Sequence, residues 1–336
     1  MANDKNKTKR EPYPNVVIFY FGILRSVAGA EIQQHIRNWL SPPDPWKNHS
    51  VAYESHHSGT ATWFIQGDRF SEWKLSRQTS LLWIHGKRQL PPSRYYCALT
   101  QRLMSLHFHS RRREKCVLVR WLSTFSPRGL STVSASSTII EEIKNMRKCG
   151  LASFAMFYYD FRDDDKKDRR GLLSSALVQL CHQSDLYCDI LSKFYLEHDS
   201  GSQHPSDDAL FRCLKELLKV PGQAPVYLIV DALDECPNTS ALLSPRNKVL
   251  VLFEDLIDSQ LPNLHICVTS RTETDIKVVL EPLTFYSISL HDEPGQIEDI
   301  ENYIKTVVNT NRKMRRWKSE HKQLVIDFLT KRADGM

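Results

Sequence analysis

The chain has 336 residues, of which 41% are hydrophobic and 25% charged, with 45 Lys+Arg against 39 Asp+Glu. Ordinary hydrophobicity and a small net charge per residue exclude disorder as the main state, and 12 glycines are too few for a collagen-like or low-complexity chain. No apolar run reaches the roughly 18–20 residues of a spanning helix, so the reading is a globular chain without a membrane segment. The length suits two modest domains or one large α/β domain with appendages.

Charge is unevenly placed. Residues 88–135 hold nine Arg/Lys against the single acid Glu114, whereas the remainder of the chain is slightly acidic. A uniformly basic nucleic-acid binder would not divide in this way. The eight cysteines form no C-x-x-C pair and several fall inside apolar runs, which points to reduced thiols and a cytoplasmic protein. Lys5, Lys7, Lys9 and Arg10 before Val16–Leu24 imitate a secretion signal. Pro12 and Pro14 interrupt that approach and Arg25 cuts the apolar run short, so secretion is not expected.

In chain order, residues 1–30 read as a tail and 31–79 as a lead-in. The lead-in comprises a short amphipathic helix over 31–40, stopped by Ser41-Pro42-Pro43-Asp44-Pro45, a polar linker, and the aromatic stretch Thr62–Trp73. Ser80–Lys87 predicts a buried strand running into a glycine turn. Residues 88–135 lack a sustained period. A helix is expected over Ser137–Lys148, with Ile139, Ile140, Ile143 and Met146 on its apolar side. Ala152–Tyr159 is a continuous apolar run, as expected of a parallel strand covered on both faces. Asp168 and Ser206 are placed to cap helices carrying Leu173, Leu177 and Leu180, and Leu210, Leu214, Leu217 and Leu218. Further strands are expected at Val226–Val230, Leu264–Thr269 and Phe285–Leu290. Helices are expected at Lys248–Ile257, Gln296–Val308 and Glu320–Leu329. The alternation implies an α/β fold with a mostly parallel sheet and helices on both faces.

Ligands in such a sheet sit beyond the carboxyl ends of the strands. Val226–Val230 runs into Asp231-Ala232-Leu233-Asp234-Glu235. A carboxylate at the tip of a buried strand can hold hydrated Mg²⁺, and further acids can orient an attacking water. Leu264–Thr269 ends in Ser270-Arg271, and an arginine there can reach a terminal phosphate bound over the neighbouring strand.

The segments VYLIVDALDEC and LHICVTSR, preceded by FYYDFRDDDKKDRRGLLSSALVQLC, resemble the NACHT-type P-loop NTPase module of fungal NLR-like proteins, also described as nephrocystin-three-like N-terminal. WLSPPDPWKNH, GTATWFIQGDRFSEWK and ISLHDEPGQIEDIENYI resemble the flanks of that module, so the resemblance covers residues 24–87 and 136–310. It implies a P-loop-type sheet and an NTPase domain over 80–310. It further implies a nucleotide-gated signalling switch using Mg²⁺ with ATP or GTP, and protein partners or self-association. It assigns the metal-linked acid to Asp231, the water-orienting acids to Asp234 and Glu235, and the sensor arginine to Arg271. Gly86 and Lys87 fall where the phosphate loop begins.

The chain departs from the family at that loop. Counting G-x-x-x-x-G-K-[ST] from Gly86 puts Pro91 and Pro92 where Gly and Lys belong, with Ser93 alone fitting. Proline has no N–H to give a phosphate and its φ is fixed near −65°. Family-like sequence resumes at Ser137, so residues 88–135 read as a basic insertion, of the kind produced by reading through non-coding sequence. The expected module is therefore degenerate, with nucleotide binding and hydrolysis impaired. A non-catalytic interaction domain is the alternative. A nucleic-acid binder using Arg111, Arg112 and Arg113 ranks below both, because no fold motif accompanies them. His49, His56 and His57 lack an acid or Cys at ligand spacing, so no metal site is expected there. Residues 311–336 read as a basic helix or the start of a truncated lid.

Overall fold

The computed structural model describes residues 29–55, 61–86, 132–239, 244–310, 312, 314–315 and 317–333. The N-terminal tail, Lys87, Pro91, Pro92, Ser93, the basic stretch up to residue 131, His56 and His57 lie outside the described residues.

Five strands form one parallel sheet: β1 (Ser80–Gly86), β2 (Ser153–Tyr158), β3 (Val226–Asp231), β4 (Leu264–Arg271) and β5 (Tyr286–Ser289). Their spatial order is β2-β3-β4-β1-β5. From β1 the chain jumps to the far edge, then returns strand by strand and passes beyond β1 to β5. Right-handed crossovers put the outward jump on one face of the sheet and the return journey on the other.

The helices follow this rule. α5 (Thr132–Lys148), which makes the outward jump, packs with α3 (Thr62–Gln66) and α4 (Asp68–Leu75) on Leu82, Ile84, Phe154, Met156, Tyr227, Ile229 and Cys267. The opposite face carries Leu81, Trp83, Ala155, Phe157, Leu228, Val230, Ile266 and Val268. Against it lie α1 (29–40), α6 (Arg169–Cys181), α7 (Asp185–Glu197), α8 (Asp207–Leu218), α9 (Pro245–Asp258) and α10 (Thr274–Leu283). Strands β1 to β4 alternate between the two apolar clusters, which is why they read as hydrophobic runs. After β5 come α11 (Pro294–Thr310) and α12 (Ser319–Ala333). No helix among the described residues is long and apolar enough to cross a membrane.

Both sequence-read caps form. The Asp168 carboxylate accepts from Gly171 N at 2.9 Å, and Ser206 Oγ accepts from Ala209 N at 3.2 Å. Three readings change. The stretch taken as a polar linker contains a helix, α2 (Pro45–Ser55). Asp44, read only as a stop for α1, also starts it, because its carboxylate accepts from Trp46 N at 2.9 Å and Pro45 supplies a helical φ. Helices α7 and α10 were not anticipated. The helix after β1 starts at Thr132, ahead of the Ser137 start read from the sequence.

The exposed edge of β2 is closed by two glutamines, Gln179 of α6 and Gln183 of the turn that follows it. Gln183 accepts from Phe154 N at 3.0 Å and donates to Phe154 O at 2.6 Å. Gln179 does the same for Met156, at 3.1 and 2.8 Å. A spacing of four along a helix matches a spacing of two along a strand, about 6–7 Å in each case. The glutamines thus satisfy edge groups that would otherwise be open to pairing with another chain. Gln179→Leu keeps the side-chain bulk and orphans one buried N–H and one C=O. It is expected to cost about 2 kcal/mol in urea unfolding and to raise self-association in sedimentation.

Candidate functional site

α5, which follows β1, and α10, which follows β4, pack on opposite faces of the sheet, and such a switch point is where a crevice is expected at the carboxyl ends of neighbouring strands. Gly86 and Arg271 are register partners at its rim. Gly86 O accepts from Thr272 N at 3.1 Å and from Thr272 Oγ1 at 3.2 Å, tying the end of β1 to the turn after β4.

Asp231 ends β3 and is 4% exposed. Its carboxylate accepts from Thr269 Oγ1 at 2.6 Å and is hydrogen-bonded by Ser136 of α5. Thr269 Oγ1 in turn accepts from Ala232 N at 3.0 Å, so one hydroxyl fixes both the acid and the peptide that follows it. Ala232 is left-handed, with φ 55° and ψ 45°, a conformation that costs a residue with a Cβ about 1 kcal/mol or more. This bend turns the chain into the short 3₁₀ segment Leu233–Glu235 and brings Asp234 and Glu235 back over the strand ends. Burial, opposed by the two hydroxyl donors and assisted by Asp234 and Glu235, lifts the Asp231 pKa to about 6. Glu235 is also raised, chiefly by burial. Its carboxylate takes Phe161 N at 3.4 Å.

Asp234 faces β4. It accepts from Arg271 N at 2.9 Å and from Arg271 Nε at 3.2 Å, so the candidate sensor arginine is engaged by a candidate catalytic acid. The two carboxylates are therefore in different situations. Asp234 has a cation, whereas Asp231 is served by hydroxyls.

Sequence reasoning missed Thr269, Ser136 and Arg246 as site residues. Arg246 is 4% exposed in the first turn of α9, where a cation opposes the helix dipole. Its fork donates to Cys236 O at 2.9 Å and Asp234 O at 2.6 Å, and pairs with Glu273 at 2.7 Å and Asp275 at 3.1 Å. One guanidinium thereby joins the acidic turn after β3 to the start of α10. The available signal was an arginine directly after a Ser-Pro helix start, where an acid is the ordinary choice. A cleft of about 460 Å³ elsewhere, between α1 and the start of α6, is lined by Trp39, Asp165, Asp168 and Gly171 and includes none of the site residues.

Two predictions follow from this geometry. Arg246→Ala should destabilise by about 2–4 kcal/mol, since it strips two carbonyls of a donor and leaves the Glu273 and Asp275 carboxylates without their cation. Arg246→Lys should recover less than half, because an ammonium cannot span both carbonyls and both acids. Denaturant unfolding measures both. The second concerns Asp231, whose folded pKa of about 6 stands above its ordinary 3.8. The folded chain then holds a proton where the unfolded chain has lost it, so this group's stabilising contribution is full below about pH 4 and is lost as pH rises to 6. Asp231→Asn should be neutral to stabilising at pH 8, by no more than about 3 kcal/mol, and should flatten the pH dependence between 4 and 7. A loss above about 2 kcal/mol would mark Asp231 as an indispensable acceptor instead.

No curated protein matches the chain. Residues 97–271, more than half of the chain, match the family described as nephrocystin 3, N-terminal. That span begins within the basic stretch and ends at Arg271, taking in β2, the acidic turn after β3 and the whole of β4. The parallel sheet, the acid at the tip of β3 and the matched residues agree, and the chain is a member of the nephrocystin 3 N-terminal family.

Proposed function

We propose that the chain is an NLR-like signalling NTPase module, built as a nucleotide-gated switch and degenerate on its phosphate side. The observation that carries this reading is Asp231, buried at the tip of β3 beside the crevice and held by Thr269 and Ser136. A carboxylate flanked by hydroxyls is a hard-oxygen donor set of the kind that suits hydrated Mg²⁺. Asp231 would hold that ion, which would neutralise charge on the phosphates of a bound nucleotide. Glu235, raised towards neutrality by burial, is suited to accept a proton from a water.

The opposite wall is where the reading departs from a working enzyme. Backbone donors and a lysine must hold the β- and γ-phosphates, and the sequence offers Pro91 and Pro92 at those places. Arg271 is bound to Asp234 and is not free to supply a substitute charge. That ion pair also favours the second reading, a non-catalytic interaction domain that retains the architecture and has lost the chemistry. In either case protein partners or self-association carry the signal, and the nucleotide, ATP or GTP, binds weakly or not at all.

A highly charged triphosphate held only from the metal side does not recover its lost hydration. Titration with a fluorescent triphosphate and Mg²⁺ is therefore expected to give no saturable binding below about 100 µM, which is some 5 kcal/mol, and no hydrolysis. Micromolar binding that disappears in Asp231→Ala would overturn the degenerate reading. Salt-dependent retention on DNA, lost when residues 88–135 are deleted, would favour nucleic-acid binding instead.

A further inference from the structure

We propose that α2 is a detachable strap, pinned beside the candidate site by the polar side chains of Asn48 and His49. The argument begins with what α2 does not bury. Trp46, Val51 and Tyr53 are 40%, 67% and 53% exposed, and among its described side chains only those of Pro45 and His49 are buried. A helix of 11 residues ordinarily stays in place through an apolar stripe. α2 stays through hydrogen bonds.

His49 is the pin. Nδ1 lies 3.0 Å from Tyr158 Oη and Nε2 lies 3.1 Å from Glu141 Oε1. Burial lowers the pKa of His49, so the ring is neutral and carries one N–H. A carboxylate only accepts, which assigns that hydrogen to Nε2 and makes Nδ1 the acceptor of the Tyr158 hydroxyl proton. Lys144 of α5 completes the chain by donating to Glu141 at 2.7 Å, and its ammonium lies 5.3 Å from the Trp46 ring centre. Asn48 is the second pin, accepting from the buried Lys166 at 2.6 Å and approaching Asp160 at 3.5 Å.

Position gives the strap its consequence. Tyr158 is the register partner of Asp231, and by strand alternation both side chains lie on the face covered by α5. α2 therefore reaches the phenol that stands beside the candidate metal acid, and draws the phenolic proton away from it. On release, each hydrogen bond of the strap is exchanged for one to water at small net cost. Pro45 is the one buried apolar side chain among those described on α2, so the opening is expected to be local, with the sheet intact. The release itself follows from the contacts of α2; only its effect on the site rests on the function proposed above.

Hydrogen exchange on the full chain tests the strap. In His49→Ala, amides of residues 45–55 should exchange at least tenfold faster than in the parent, with β2, β3 and α6 unchanged. Asn48→Ala, which leaves the buried ring in place, should produce the same local loosening even if His49→Ala fails to fold. Exchange over 45–55 that stays at the parent rate in Asn48→Ala, or that rises only together with β2 and β3, would overturn the proposal. A Mn²⁺ titration followed by electron paramagnetic resonance separates the two claims. If residues 45–55 loosen while Mn²⁺ binds neither parent nor variant, the strap stands and the reading of Asp231 as a metal acid falls.

Discussion

A right-handed crossover from β1 has to pass two strands, β4 and β3, before it descends into β2, and most of the architecture follows from that constraint. The long outward step commits α5 to one face, and the short return steps commit α6 to α10 to the other. Because the two directions part at β1 and β4, the carboxyl ends of these strands are the switch point of the sheet. Asp231, Gly86 and Arg271 gather around that point as a result of topology. No pair of them is adjacent in the chain.

An opening rimmed by Asp231, Asp234, Glu235, Glu273 and Asp275 has a charge problem, since like charges at strand tips repel. The structure divides it. Arg246 and Arg271 neutralise Asp234's turn and the start of α10 from within the protein. Among the described residues Asp231 receives the hydroxyls of Thr269 and Ser136 and no cation, and burial raises its pKa. The left-handed Ala232 belongs to the same arrangement, for without that bend Asp234 would not meet Arg271. Strain and an uncompensated acid occur within two residues of each other, and strain persists only where surrounding bonds enforce it. Here Thr269 and Arg246 supply those bonds.

What was legible in the sequence was whatever buried apolar surface. Strands β1 to β4 read plainly because they are covered on both faces, and the α6 and α8 caps read because Asp168 and Ser206 stand before apolar periods. The acidic turn stood out by its position after a five-residue apolar run. The misses share another cause. Among its described side chains α2 buries only Pro45 and His49, so no apolar period announced it, and its start was hidden in a Pro-rich stretch that also ends α1. Thr269 and Ser136 look like ordinary strand and helix residues until the sheet brings them to one carboxylate. Arg246 and the edge-closing pair Gln179 and Gln183 act on backbone groups far away in sequence, and no local pattern encodes such partners.

Two kinds of adhesion therefore hold this chain together. Elements α5 to α10 are fixed by apolar clusters, whose cost of opening scales with the area exposed. The lead-in is mixed. α3 and α4 send Phe64, Phe70 and Trp73 into the core, whereas α2 between them and α1 is attached through a histidine and an asparagine. A segment that must stay with the domain and yet respond to it needs both kinds, a buried anchor on each side and a polar contact between. α1 and α3 provide the anchors, with Ile36 and Trp39 in one cluster and Phe64 in the other. The part left free to move is the part that touches Tyr158, and through it the neighbourhood of Asp231.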